Sequence, residues 1–156
     1  MRTGSARVEY QPLGVVGVMA PWNYPVALAL MPVVTAMAAG NRVMLKPSEF
    51  TPTINALLEE VLGALLPADQ IAVVNGDAAI GAAFSALPFD HLIFTGSTIV
   101  RDKVMRAASE HLVPVTRELG GKPPVVIGKG HPLDHASAGI VFAPTTTPLQ
   151  PPHHRP

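Results

Sequence analysis

Four short segments of the chain place polar side chains beside glycine or proline, the residues that favour turns. They are Pro21-Trp22-Asn23-Tyr24-Pro25, Lys46-Pro47-Ser48-Glu49, Phe94-Thr95-Gly96-Ser97-Thr98 and Glu118-Leu119-Gly120-Gly121-Lys122. The Asn23 amide can donate a hydrogen bond to an oxygen that gains charge during a reaction, and the Glu118 carboxylate can accept a proton. Cysteine is absent from all 156 residues, so this chain contains no thiolate nucleophile.

Apolar runs of strand length alternate with helical segments between these motifs. Expected strands cover 15–19, 42–45, 71–74, 91–95, 113–118 and 125–127, and expected helices cover 26–39, 52–65, 78–86 and 97–111, with Thr51 as a candidate N-cap. Repeated βα units predict an α/β fold built on a doubly wound parallel sheet. In such sheets ligands bind outside the carboxyl ends of the strands, and all four polar segments follow expected strands. The sequence therefore predicts one site at that edge.

The composition of the chain limits the partners that it can have. Eleven basic and eleven acidic residues cancel, so no basic surface predicts nucleic-acid binding. Hydrophobic residues make up 48% of the chain and the mean hydropathy is +0.32, which is high for a domain with no covering partner. We therefore expect exposed apolar surface on the isolated chain.

The long uncharged stretch between Glu9 and Arg42 does not predict a membrane span. Pro21, Pro25 and Pro32 divide it into pieces shorter than the roughly 20 apolar residues that a spanning helix needs. The amino end has no apolar signal core, and the lack of cysteine fits a reducing compartment. We expect a cytoplasmic protein without a membrane partner.

The composition changes at Pro144. Five prolines occur in the thirteen residues 144–156, which predicts a disordered tail after a folded region over 1–143. His131 and His135 have the i, i+4 spacing of helical metal ligands, but no third ligand is evident in the sequence and Pro132 lies between them. We predict no metal site.

The four polar segments, in this order, resemble the cofactor-binding core of the NAD(P)-dependent aldehyde dehydrogenase superfamily. The resemblance covers roughly 7–143, and residues 112–116 ahead of Glu118 are similar to coniferyl-aldehyde-type members. It implies an incomplete Rossmann-like cofactor domain of an oxidoreductase that converts aldehydes to carboxylic acids. Position 152, where the family pattern expects the nucleophilic cysteine, is Pro152. Aldehyde oxidation by this chain alone is therefore not expected.

The resemblance implies two catalytic residues. Asn23 matches the family's oxyanion-hole asparagine, which hydrogen-bonds the oxygen of the tetrahedral intermediate. Glu118 matches the general base that activates the cysteine or the hydrolytic water. Each has an ordinary alternative, because asparagine is common in proline-bounded turns and glutamate is common at exposed strand ends.

The resemblance also implies a cofactor site. Lys46 and Glu49 correspond to residues beside the adenosine ribose, where a carboxylate accepts hydrogen bonds from hydroxyls and repels a 2′-phosphate. We therefore expect NAD, with NADP as the alternative. Gly96 and Ser97 start a helix after a strand, which suits a pyrophosphate. The alternatives are a simple Pro-Ser-Glu helix start and an ordinary helix cap.

Three further residues complete the expected cofactor site. Met19 and Trp22 correspond to the nicotinamide end, although core packing explains both equally well, and Leu119 follows the proposed base. Two positions depart from the family pattern, since Arg101 replaces a usual glycine and Pro123 replaces a small polar residue. Arg101 leaves open how closely the helix approaches a phosphate.

The expected partners follow from the same resemblance. An aldehyde is the substrate of the intact family enzyme, and intact relatives oligomerise through elements that this chain lacks. Two other functions stay open at this point. The chain could be a catalytically silent nucleotide-binding or interaction module, or a remnant without function.

Overall fold

The computed structural model describes residue 4, residues 7–120 and residues 126–145. The chain divides into two compact units, Met1–Leu119 and Gly120–Pro156. Among the described residues, the first unit holds five strands and four helices, and the second holds one helix. No helix in the described part of the chain is long and apolar enough to cross a membrane.

Strands and helices alternate along the first unit. Their bounds are β1 Val15–Met19, α1 Ala27–Ala38, β2 Arg42–Lys46, α2 Pro52–Leu65, β3 Ile71–Val73, α3 Ala78–Ser85, β4 His91–Thr95, α4 Thr98–Ser109 and β5 Val115–Glu118. All neighbouring strands pair in parallel, in the order β3-β2-β1-β4-β5. The chain runs outward from β1 to one edge and then returns to β4 on the other side of β1. The predicted doubly wound α/β fold is confirmed.

Two hydrophobic clusters lie on opposite faces of this sheet because strand side chains alternate in direction. On one face, α1 and α2 cover Val18 and Leu45, which are fully buried. On the other face, α3 and α4 cover Leu92 and Phe94. Burying one such side chain contributes roughly 1.5–3 kcal/mol, so the two clusters together hold the central strands in place.

Polar caps set where the helices on the second face begin. The Asp77 carboxylate accepts hydrogen bonds from the N–H groups of Ala79 and Ile80 at 3.0 and 3.1 Å, at the start of α3. Ser97 caps α4 in the same way through Val100. Thr51 is the N-cap residue of α2, as predicted, although its side chain accepts no capping hydrogen bond. Its hydroxyl group instead donates a hydrogen bond to Asn55 Oδ1 at 3.0 Å and lies 3.3 Å from the carbonyl oxygen of Ser48.

The second unit differs from the sequence-based expectation. The strand predicted over 125–127 is absent at Val126 and Ile127, and Val125 lies outside the described residues. Val126 is 89% exposed, and no strand among the described residues pairs with this segment.

The second unit also contains a helix that the sequence pattern did not predict. This helix, α5, covers Leu133–Thr145. It includes Pro144, the first residue of the predicted tail, because the fixed φ of proline is itself close to helical. The predicted tail beyond Thr145 lies outside the described residues.

Candidate functional site

The carboxyl ends of the strands bring the polar segments to one edge of the sheet. Met19 at the end of β1 pairs in register with Lys46 of β2 on one side and with Phe94 of β4 on the other. One residue further along, Thr95 pairs with Glu118 of β5. Because the strand order reverses between β1 and β4, the loops that follow these two strands lead to helices on opposite faces of the sheet, which is where ligands bind in such folds.

The end of β1 and the loop after it carry three of the predicted residues. Met19 is 8% exposed and packs in the second hydrophobic cluster below α3, where its methyl group lies near Gly81. Trp22 and Asn23 are partly exposed. The Asn23 side chain makes no hydrogen bond with any residue that the structure describes. Tyr24 then adopts a positive φ of 49°, an uncommon conformation outside glycine that turns the chain sharply into α1.

Lys46 and Glu49 meet at the exit of β2. The Lys46 side chain is buried, and its Nζ donates hydrogen bonds to the carbonyl oxygens of Pro47 and Gly76, both at 3.0 Å. The same Nζ lies 3.6 Å from Glu49 Oε2, whose side chain is 37% exposed. Lysine therefore joins the β2 and β3 loops, while the glutamate presents its carboxylate to solvent.

A cleft of about 360 Å³ lies beside Glu49. Its walls come from the start of α2 and from the turn after β3, including Asn55, Asn75, Gly76 and Asp77. Asn75 Nδ2 donates to Glu59 Oε2 at 2.6 Å, which ties the turn to α2. None of these four residues was predicted to be functional. The available signal was an Asn-Gly-Asp turn that follows a parallel strand at the same edge as the four motifs.

Gly96 and Ser97 form the turn between β4 and α4. A Cβ atom on Gly96 would lie 2.6 Å from Phe94 Cζ, so this turn leaves no room for a side chain. Ser97 Oγ accepts from Val100 N at 3.4 Å. The first N–H groups of α4 have no partner within the helix, and together with the helix dipole they favour an anion. Arg101, in the next turn, pairs with Asp102 at 2.7 and 2.8 Å.

Glu118 ends β5 with an exposed side chain, and Leu119 after it packs against the second cluster. The carbonyl oxygen of Glu118 accepts a hydrogen bond from Gly96 N at 3.0 Å, so the loops after β4 and β5 are directly joined. Gly120 follows with a φ of +64°, which glycine adopts at little cost. The chain can therefore turn immediately after the carboxylate.

The predicted residues form linked pairs along the edge. Lys46 contacts Glu49, and Gly96 contacts Glu118. Asn23 follows β1 and Glu118 ends β5, with β4 between them, which separates the two strand ends by about 10 Å.

A second cavity, of about 340 Å³, has different chemistry. It is mostly apolar and lies between α1 and the sheet, with Met31, Pro32, Ala36 and Ile93 among its lining residues. It shares none of the predicted site residues. Within the described ranges, no group of three or more His, Asp or Glu side chains could hold a metal ion.

Comparison with known proteins identifies the family. The model of the aldehyde dehydrogenase family matches residues 2–147. The chain is 58% identical over 140 residues to the coniferyl aldehyde dehydrogenase of a Pseudomonas species and 56% identical over 138 residues to a probable coniferyl aldehyde dehydrogenase of Pseudomonas aeruginosa. These matches cover 90% and 88% of this chain and 29% of each relative. The chain belongs to the aldehyde dehydrogenase family and spans less than a third of the length of these relatives.

Solved structures agree with this assignment. The substrate-bound AldH of Staphylococcus aureus superposes with a TM-score of 0.79 at 40% identity, covering 86% of this chain and 29% of that one. The aldehyde dehydrogenase of Mycobacterium tuberculosis, solved with NAD⁺, gives a TM-score of 0.73 at 40% identity, covering 85% and 28%. The sheet described above is thus a part of the fold of these larger proteins.

Proposed function

We propose that this chain supplies the nucleotide-binding part of an NAD-dependent aldehyde dehydrogenase. The observation that carries the proposal is the convergence of four polar loops on the carboxyl edge of the sheet, around the point where the strand order reverses. Family membership supports the reaction class, and the similarity to coniferyl aldehyde dehydrogenases favours an aromatic aldehyde as the substrate of the longer enzyme.

The residues at this edge fit the parts of NAD. The tight Gly96 turn and the first N–H groups of α4 suit a pyrophosphate, which is anionic and needs close approach of the backbone. The partly exposed Glu49 carboxylate suits the hydroxyls of a ribose and disfavours a 2′-phosphate. NAD, when bound, accepts a hydride from the substrate. The relative from Mycobacterium tuberculosis was solved with NAD⁺, which supports the choice of cofactor.

We assign Asn23 as the donor to the substrate oxygen and Glu118 as the proton acceptor. The Asn23 amide makes no hydrogen bond within the described residues, so it can donate to a ligand without breaking one. The exposed Glu118 carboxylate, followed by Gly120, has room to reorient. We place Trp22 and Met19 at the nicotinamide end of the cofactor, and Met19 packs in the second hydrophobic cluster.

A second candidate function, nucleotide binding without catalysis, has one specific observation in its favour. The 156 residues contain no cysteine, so a thiolate for attack on the aldehyde is not part of this chain. A nucleotide-binding module without catalysis would show the same sheet, the same cleft and the same cofactor contacts. Binding and turnover therefore have to be measured separately.

The test is titration calorimetry of the purified chain with NAD and with NADP, after circular dichroism has verified folding. We expect binding with a preference for NAD, and we expect Glu49→Gln to narrow that preference because the charge that repels the 2′-phosphate is lost. Glu60→Gln on the exposed side of α2 is the matched control and should leave the preference unchanged. Equal affinity of the wild type for both cofactors would contradict the role of Glu49.

A further inference from the structure

We propose that Asn55 is a positioning residue that fixes the direction of Glu49 at the nucleotide cleft and so sets the preference for NAD over NADP. This inference rests on the proposed nucleotide site. Asn55 lies in the first turns of α2 and is only 4% exposed, although its side chain is polar. A buried amide of this kind needs partners for both its donor and its acceptor.

The partners of Asn55 both belong to the loop that carries Glu49. Asn55 Nδ2 donates to the carbonyl oxygen of Ser48 at 2.8 Å, and Asn55 Oδ1 accepts from Thr51 Oγ1 at 3.0 Å. Exchanging the amide oxygen and nitrogen would place Oδ1 against the Ser48 carbonyl oxygen, where two acceptors repel. The neighbours therefore determine the orientation of the amide.

The Ser48 carbonyl oxygen is the centre of this network. It also accepts from Thr51 N at 3.3 Å and faces Thr51 Oγ1 at 3.3 Å. Ser48 itself is 7% exposed, so the network is shielded from water. This carbonyl belongs to the peptide group that Ser48 shares with Glu49. Holding its plane fixes the direction in which the backbone enters Glu49.

The consequence for the cleft is geometric. Glu49 leaves the fixed peptide with its carboxylate 3.6 Å from Lys46 Nζ, and both Glu49 and Asn55 line the cleft. Lys46 is anchored separately, through Pro47 and Gly76. Loss of the Asn55 amide would therefore release the carboxylate while leaving its ammonium partner in place.

If Asn55 were purely structural, its replacement would affect NAD and NADP affinity differently from what this proposal predicts. A buried residue that only stabilises α2 would, when replaced, weaken NAD and NADP binding by the same factor. A positioning residue changes their ratio, because only the 2′-phosphate of NADP senses where the Glu49 charge lies. The ratio of affinities therefore separates the two functions.

The experiment compares Asn55→Ala and Asn55→Leu with the wild type by calorimetric titration with NAD and NADP. Asn55→Leu keeps most of the side-chain volume, adds no charge to the cleft and loses the donor to Ser48, so it tests the decisive hydrogen bond if Asn55→Ala does not fold. We expect the preference for NAD to fall about threefold to tenfold in both variants, the range that corresponds to one hydrogen bond. Leu62→Ala, a buried change two turns later on α2, is the control and should leave the preference unchanged.

Two further measurements make the result decisive. In a Glu49→Gln background, Asn55→Ala should no longer alter the preference, and an unchanged effect there would overturn the inference. Amide hydrogen exchange reports the loop without any nucleotide: Glu49 and Phe50 should exchange faster in Asn55→Ala than in Leu62→Ala. Equal exchange rates would also overturn it. If the loop loosens as expected while the wild type shows no preference between the cofactors, the proposed nucleotide site is wrong and the anchoring of the loop stands.

Discussion

Lys46 carries a positive charge in a place where water hardly reaches it. Its side chain is 4% exposed, and two carbonyl oxygens and one carboxylate surround its ammonium group. A buried charge is stable only when hydrogen bonds replace its hydration. The three partners come from the β2 and β3 loops, so one side chain determines how these two loops meet.

Lys46→Met should lower the free energy of unfolding by about 2 kcal/mol. The change keeps most of the side-chain volume but leaves the Gly76 carbonyl without its donor, and hydrogen bonds to charged groups contribute roughly 1.5–3 kcal/mol. Urea denaturation measures the loss. Lys103→Met on the exposed side of α4 is the control and should change stability by less than about 0.5 kcal/mol. Equal effects of the two substitutions would show that the Lys46 hydrogen bonds contribute little.

At the scale of the elements, the packing of side chains on the sheet face covered by α3 and α4 constrains the turn before α4. Gly96 has no space for a Cβ atom because the Phe94 ring, which is 4% exposed, packs against it. Gly63, within α2, has nothing within 4 Å of the same atom. The two glycines therefore have opposite structural requirements.

Alanine substitutions at these two glycines should change the free energy of unfolding in opposite directions. Gly96→Ala should destabilise the chain by roughly 1–3 kcal/mol, since the Phe94 ring or the turn must move. Gly63→Ala should stabilise it by about 0.5–1 kcal/mol, because alanine favours a helix interior. Thermal denaturation of both variants checks the pair. A neutral Gly96→Ala would mean that the turn relaxes freely and does not need glycine.

Some strand bounds of this chain could be predicted from the sequence, whereas some contacts at the cleft could not. The β1 and β4 bounds were predicted to the residue, because buried parallel strands are continuous apolar runs that end at glycine or proline. The contact of Lys46 with Glu49 follows from local spacing and was predictable in the same way. Asn55 and the turn of Asn75 were not, because Asn55 acts through its burial against the Ser48 carbonyl oxygen and Asn75 through the position of the start of α2 beside the end of β3.

At the scale of the whole molecule, large apolar side chains remain exposed, and this expectation from composition is confirmed. Met31 and Val34 on α1 are 69% and 62% exposed, and Leu57 and Leu65 on α2 are 57% and 71% exposed. Apolar surface of this extent normally contacts further protein. The chain spans only 29% of the length of its Pseudomonas relatives.

The purified chain should not oxidise aldehydes. Its 156 residues contain no cysteine and therefore no thiolate to attack the aldehyde. The assay follows NADH formation from aromatic and aliphatic aldehydes, with the coniferyl aldehyde dehydrogenase of the Pseudomonas species as the positive control. NADH formation that Glu118→Gln abolishes would show that the chain carries its own nucleophile and would refute this prediction.

The position of β1 in the centre of the sheet also has a consequence for synthesis on the ribosome. One neighbour of β1 follows within the next few elements, but the N–H group of Val15 binds the carboxylate of Asp90, 75 residues later. A nascent chain that has not yet reached β4 can assemble β1, β2 and β3 while one side of β1 stays unpaired. Such an open edge can pair with strands of other chains, so we expect a nascent chain that stalls before β4 to be prone to aggregation.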